Sequence, residues 1–307
     1  MKFRILTGLV LCNLIWSAHP VMFKIILGQF SAPESALLRY GSALIAFVLV
    51  WLIFNLQKPF ALVFSRSGFW SMLTLGALTF CIAPMLQMVG IDKSRATDGS
   101  LITALEPLTA VLLARIFLRE RLGLSNVLSI GLALAGFVLL SEFSIDARAA
   151  GNLLILASCV LEGAYSVLGR KLLEKHGLVP LFGSSLLLGV VALLVTVTIL
   201  SESGGGVSGF GHRLAGVSWQ TIAAVIWVGP VGTCAAYFFW LTALKQVPVA
   251  SVAVTLFIQP LLGALWGNWF MGDRLSLMQT AGAILILLSL TLPVLILNLR
   301  YERQKLI

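Results

Sequence analysis

Two carboxylates in an otherwise apolar chain are the groups best placed to do chemistry. Glu106 precedes Pro107 about halfway along an apolar run, and Glu162 lies about as deep in another. An ionisable side chain inside a membrane span is costly and marks a functional site by default. Pro107 removes a backbone hydrogen bond and loosens the helix beside Glu106. Such a carboxylate can hold a substrate ammonium, carry a proton, or bond a neighbouring helix as structural glue.

Other polar and aromatic residues fall on shared helical faces. Trp16, His19, Pro20 and Phe23 follow the i, i+3, i+4, i+7 rule. A polar, proline-broken face suggests a cavity wall. The alternative has His19 bonded to a carbonyl and Lys24 snorkelling to the interface. Tyr165, Ser166 and Gly169 share the face of Glu162. Tyr237, Trp240 and Trp266 suit an aromatic wall for an amphipathic substrate, although membrane aromatics also serve as interface belt and packing. The substrate-binding set is therefore Trp16, His19, Gln87, Glu106, Glu162, Tyr165, Tyr237, Trp240 and Gln259. Arg39, one to two turns inside its span, can pair with Glu34 or with a carboxylate ligand, and a partner on another helix is the preferred reading. The three histidines are far apart, and the four cysteines lie in apolar runs without metal spacing. No catalytic residue, metal or cofactor is expected.

The elements that must position these residues come in two copies. Glu106 to Leu124 reads EPLTAVLLARIFLRERLGL, and 153 positions later Gln259 to Leu277 reads QPLLGALWGNWFMGDRLSL. Seven of nineteen positions are identical without a gap, among them Pro107/Pro260, Phe117/Phe270 and Arg121/Arg274. At the same offset Cys81 meets Cys234, Gln87 meets Trp240 and Pro84 meets Tyr237. Repeats of this kind define an architecture. The frame repeats while its chemistry does not, since Gln259 stands opposite Glu106. Each copy also carries a small-xxx-small pair, Ala110/Ala114 and Gly263/Gly267, which lets helix backbones approach closely.

Of the 307 residues, 59% are hydrophobic and 11% charged, with a mean hydropathy of +1.01. Soluble domains carry roughly 25% charged residues, so the chain is an all-α integral membrane protein with almost no room for a soluble domain. A span needs about 20 apolar residues. Ten stretches qualify, at about 4–27, 34–55, 68–91, 97–118, 124–141, 151–171, 180–200, 217–243, 249–270 and 277–298. The first is a span rather than a cleaved signal, because it runs on apolar to Leu27. Ser201 to Gly216, rich in Gly and Ser, is expected to be a flexible tether. The halves divide as 1–147 and 148–307.

With the N-terminus inside, thirteen Lys and Arg lie in inner loops and six in outer ones. The outer six are Lys24, Lys93, Arg95, Arg148, Arg213 and Arg274. The excess places both termini in the cytoplasm, and accounts for the net charge of +9 without nucleic acid. Five spans per copy make the second copy insert upside down. Inverted repeats characterise secondary transporters, with substrate bound near the midplane between the copies.

The chain resembles the EamA-type members of the drug/metabolite transporter superfamily. The resemblance rests on W-S-x(6)-K at Trp16 to Lys24, on Leu38-Arg39-Tyr40, on EPLTAVLLARIFLRERL at 106–122, on YSVLGRKL at 165–172 and on QPLLGALWGNWFMGDRL at 259–275. It implies ten transmembrane helices in two inverted five-helix repeats, a central cavity and alternating access. It further implies export of amino acids, other metabolites or drugs across a bacterial inner membrane. The sequence departs from that pattern at Gln259, where many relatives keep Glu, and at His19, where a small residue is common.

The expectation is thus a monomeric exporter of small metabolites, amino acids first. Cationic multidrug efflux and a lipid-carrier flippase are the transport alternatives. An intramembrane enzyme would need a catalytic arrangement that the intramembrane acids do not show. In a background lacking the four native cysteines, an impermeant thiol reagent applied outside cells should label Ser208→Cys and spare Ser65→Cys. The opposite pattern reverses the orientation.

Overall fold

The structure, a computed structural model, describes residues 3–54, 58–64, 66–103, 105–106, 108–109, 112–113, 116, 124–140, 147–201, 206–246, 256 and 258–289. Among these the regular structure is helical throughout, as lipid demands: a helix satisfies its own backbone hydrogen bonds where no water can. The first half contains α1 (Phe3–Ser17), α2 (His19–Leu27), α3 (Ala32–Phe54), α4 (Arg66–Ala77), α5 (Ala83–Lys93), α6 (Ala96–Thr103) and α7 (Leu124–Leu140). The second contains α8 (Ala147–His176), α9 (Leu178–Ser201), α10 (Gly206–Ala215), α11 (Trp219–Ile226), α12 (Ala236–Gln246) and α13 (Ile258–Met271), then α14 (Leu277–Ser289).

Five described helical stretches are long and apolar enough to cross a membrane: Ile5–Leu27, Ala32–Phe54, Gly68–Lys93, Leu178–Ile199 and Trp219–Ala243. They coincide with the first, second, third, seventh and eighth expected spans. The sixth, α8, is helical beyond both expected ends. Parts of the fourth, fifth, ninth and tenth lie outside the described residues, as does the pair Ala110/Ala114.

Two of these spans are interrupted in the same way. Between α4 and α5 the helix widens over Leu78–Ile82, just ahead of Pro84. Between α11 and α12 it widens over Trp227–Ala235, around Pro230. The 153-residue offset carries 78–82 onto 231–235, inside the second widened turn. Proline cannot donate its backbone bond, and a widened turn absorbs the missing partner. The first span breaks at Ala18, with Pro20 in the first turn of α2, where its lack of an N–H costs nothing.

Glycines set the crossings between the halves. A Cβ on Gly76 of α4 would collide with the Ser185 carbonyl of α9 and lie 2.9 Å from the Gly189 nitrogen. A Cβ on Gly229, the same position one repeat later, would collide with Ser42 Oγ and lie 2.6 Å from the Arg39 carbonyl of α3. Gly136 of α7 and Gly282 of α14 face one another just as closely. On α13, a Cβ at Gly263 would overlap Ser100 Oγ of α6, and one at Gly267 would overlap Thr97 Oγ1. The small-residue pair therefore lies where α13 crosses α6 at close range.

The Ser201–Gly216 segment corrects the flexible-tether expectation over most of its length. Residues Gly206–Ala215 form α10. Phe210 meets Phe30 edge-on at 5.9 Å, and Arg213 pairs with Glu34 at the start of α3. The Gly/Ser content hid an apolar stripe and a cation positioned to dock.

Gly263→Leu and Gly267→Leu should lower thermal stability in detergent and expression yield more than they alter substrate affinity per folded molecule. Overpacking costs about 1–3 kcal/mol, and here hydroxyls and backbone stand in the way. A Gly267→Leu protein with normal yield and unchanged melting temperature would overturn the packing account.

Candidate functional site

A cavity of about 640 Å³ lies between the two halves. All nine residues of the expected substrate-binding set line it: Trp16, His19, Gln87, Glu106, Glu162, Tyr165, Tyr237, Trp240 and Gln259. They converge from α1, α2, α5, α8, α12, α13 and the chain following α6. The volume falls in the range of pockets that take a small molecule, about 300–1,000 Å³.

The aromatic wall centres on Tyr237. Its ring lies 5.6 Å from Trp16 and 5.6 Å from Phe182, and Trp16 in turn lies 5.5 Å from Trp240. Tyr165 stands 6.4 Å from Tyr237 in a T-shaped contact. Trp266, expected in this wall, is elsewhere. Its Nε1 donates to Ser17 Oγ at 3.1 Å, and its ring packs against Trp269 and Phe270.

The wall is anchored to the second widened turn. Trp16 Nε1 donates to the Gly232 carbonyl at 2.7 Å. His19 Nε2 lies so close to Gly232 that a Cβ there would overlap it, and this nitrogen has no hydrogen-bond partner among the described residues. Position 232 must therefore be glycine for Trp16 and His19 to seat together. Nothing in the local sequence signals this, because the partners are more than 200 residues apart.

Glu106 and Glu162 face the same cavity, and neither has a hydrogen-bond or ion-pair partner for its carboxylate among the described residues. The backbone beside Glu106 is held by Thr109, whose Oγ1 donates to the Glu106 carbonyl at 2.8 Å and to the Cys159 carbonyl of α8 at 2.9 Å. The matching residue of the second half is committed: Gln259 Nε2 donates to Asn13 Oδ1 at 2.6 Å, and Asn13 Nδ2 to the Leu9 carbonyl at 2.7 Å. One copy thus presents open carboxylate chemistry, while the other spends its amide in helix contact.

Arg39 is 4% exposed and also lines the cavity, a position the sequence reading missed. It pairs across helices as expected, but with neutral groups. Its Nε donates to Thr233 Oγ1 at 3.2 Å, and Nη1 reaches Gln87 Oε1 at a long 3.5 Å. Its guanidinium lies 5.0 Å from the Phe23 ring centre and 4.6 Å from that of Tyr40.

The two ends of the cavity differ. One reaches the exposed side chains of Glu174, Lys245 and Gln246. Towards the other, buried His19, Arg39 and Gln87 form the floor. Beyond that floor is a polar cluster. Fully buried Asp98 accepts from Arg95 at 3.0 Å and Arg148 at 2.7 Å. Arg95 also donates to the Arg274 carbonyl and to Gln279 Oε1, both at 2.6 Å. The Thr97 amide donates to Asp273 at 2.9 Å, and Lys24 Nζ to the Asp92 carbonyl at 3.1 Å. The Gly272-Asp273-Arg274 segment ties the second half to the first. Among the described residues no cluster of His, Cys, Asp and Glu is arranged to hold a metal.

Helices long and apolar enough to cross a membrane, with a charged, aromatic cavity between the two halves, fit a transporter. The chain belongs to the EamA-like transporter family, which matches residues 4–142 and again 149–295. It is 25% identical to the uncharacterized transporter YyaM of Bacillus subtilis, over 87% of this chain and 85% of that protein. An uncharacterized transporter of Archaeoglobus fulgidus is 29% identical over 64% of this chain and 67% of its own length. A probable amino-acid metabolite efflux pump of Salmonella typhimurium is 22% identical over 93% of each chain. A solved crystal structure matches the fold with a TM-score of 0.64 at 17% identity, over 96% of this chain and 98% of the other.

The closed end gives a test. In a cysteine-free background, Thr103→Cys in the cavity should react with an impermeant thiol reagent from the Lys245 face and be protected from the Lys24 face. Adding Asp98→Asn removes the carboxylate between two arginines, and reactivity from the Lys24 face should then rise several-fold. Equal labelling from both faces before the second change would contradict a sealed end.

Proposed function

We propose that this protein is a secondary transporter that exports small zwitterionic metabolites, amino acids first, across a bacterial inner membrane. The observation that carries the reading is the pair of unpartnered carboxylates, Glu106 and Glu162, in one cavity with an aromatic wall. A buried carboxylate needs a compensating cation or a proton. A substrate ammonium supplies the first, and its release in exchange for a proton restores neutrality. The nine lining residues then act in substrate binding, with Trp16, Tyr165, Tyr237 and Trp240 against the apolar part. The named function of the Salmonella relative supports the choice of amino acids.

Transport proceeds in this reading by alternating access. The 1–147 and 148–307 halves are inverted five-helix copies that rock about the cavity, both termini are cytoplasmic, and the protein acts as a monomer. The double family match and the paired widened turns support the two-copy frame. The cavity end at Lys245 is then the cytoplasmic one, because four of the six outer cations, Lys24, Arg95, Arg148 and Arg274, belong to the bonded cluster at the opposite end. Export of hydrophobic cations is the second reading, favoured by the same carboxylates and rings.

A liposome flux panel of amino acids, cationic dyes and lipid-linked sugars separates these readings, and movement of dyes alone would sink the amino-acid assignment. Glu106→Gln should fold normally, since the second copy carries Gln at the matching position, yet transport poorly and lose most of its response to pH. Melting temperature and flux at two pH values, measured on one preparation, check this. Preserved flux and pH response with lowered stability would make Glu106 a structural residue.

A further inference from the structure

We propose that Arg39 is the anion-binding residue of the cavity, holding the carboxylate of a substrate whose ammonium faces Glu106 and Glu162. The inference rests on the amino-acid reading above and deepens it, because it requires both charges of the zwitterion to be recognised.

Arg39 is almost fully buried, and a buried cation is costly unless paired. Its own helix offers Glu34, but that carboxylate is taken by Arg213 and by the amide and hydroxyl of Ser31. Arg39 makes no ion pair among the described residues; its partners are a hydroxyl, a distant amide oxygen and two ring faces. A guanidinium carries five donors in a planar fork, and the bonds to Thr233 and Gln87 use two. The rings of Phe23 and Tyr40 and the hydroxyl of Thr233 hold the fork in place without neutralising it. A fixed guanidinium with donors to spare matches a carboxylate in two-point geometry. The cavity places it with two carboxylates that make no contact ion pair among the described residues, so one fixed positive group and an acidic pair face the same space, the complement of an α-amino acid.

The test compares each amino acid with its amide, which keeps the ammonium and replaces the carboxylate with an uncharged carboxamide. In nanodiscs, wild-type protein is titrated with L-leucine and L-leucinamide, and with L-phenylalanine and L-phenylalaninamide, following the fluorescence of the wall tryptophans. Wild-type protein should prefer each acid by about tenfold or more, the worth of a charge-assisted hydrogen bond. Arg39→Gln should abolish that preference while still binding the amides, and Arg39→Lys should keep part of it. A merely structural arginine would weaken acid and amide alike. Equal binding of acid and amide by wild type, or an undiminished preference in Arg39→Gln, overturns the assignment of Arg39 alone. If Arg39→Gln does not fold, Arg39→Lys decides: an unchanged acid preference overturns it, and a reduced one with amide affinity retained supports it. If wild type binds no amino acid in the panel, the amino-acid reading falls and this subsite with it.

Discussion

Close backbone approach across the two halves is the constraint on which the rest depends. Helices in lipid gain nothing from hiding apolar side chains from each other, so they associate by packing and by interhelical hydrogen bonds. Here that packing is reciprocal. Gly76, in the third span of the first half, lies against the second span of the other half, and Gly229, its counterpart, lies against α3. The same exchange recurs elsewhere: α5 packs on α8 while α12 packs on α1, and α13 crosses α6. Contacts that map onto one another when the halves are swapped are what a two-fold assembly of one unit produces.

That arrangement encloses a space without filling it. A widened turn follows Gly76 in the first half, and in the second half the widened turn Trp227–Ala235 contains Gly229. In the second of these turns the Gly232 carbonyl accepts from Trp16 Nε1 of the opposite half. The exchange that holds the halves together thus also builds the wall of the site. Symmetry stops at the chemistry: Gln259 is bonded to Asn13, whereas the Glu106 carboxylate has no partner among the described residues. The carboxylate-bearing copy is free to respond to a ligand, and the amide-bearing copy is fixed.

Much of this was legible in the sequence, for physical reasons. Membrane helices advertise themselves by length and apolarity, and polar residues inside them stand out because they are expensive. Those two signals suffice to bring all nine expected residues to one cavity. What escaped notice depended on distant partners. Arg39 was visible as an intramembrane charge, yet whether its partner was an acid or neutral groups is decided by Thr233 and Gln87, on other helices. Gly232 carries no mark of the two side chains it admits. The α10 helix was masked by glycine content, although Phe210 and Arg213 stood at positions able to dock. Trp266 failed in the opposite direction, since its aromatic character suggested a wall and its hydrogen bond to Ser17 places it outside.

The closed end shows how a rigid frame can still move. The cluster around Asp98 is made of charge pairs and carbonyl bonds, with Arg95 and Arg148 partly open to water. Asp98 is fully buried while these pairs hold, so parting them is favourable only when water enters with the separation and takes the place of the lost partners. The glycine crossings deeper in the molecule have no such substitute in lipid, and separating them would leave voids. Polar bonds with partly exposed arginines therefore gather at one end of the cavity, and contacts that water cannot replace hold the helix crossings together. The cavity lies between these two regimes, and in the function proposed above a ligand that meets Glu106, Glu162 and Arg39 at once would act on charges that make no contact ion pair among the described residues.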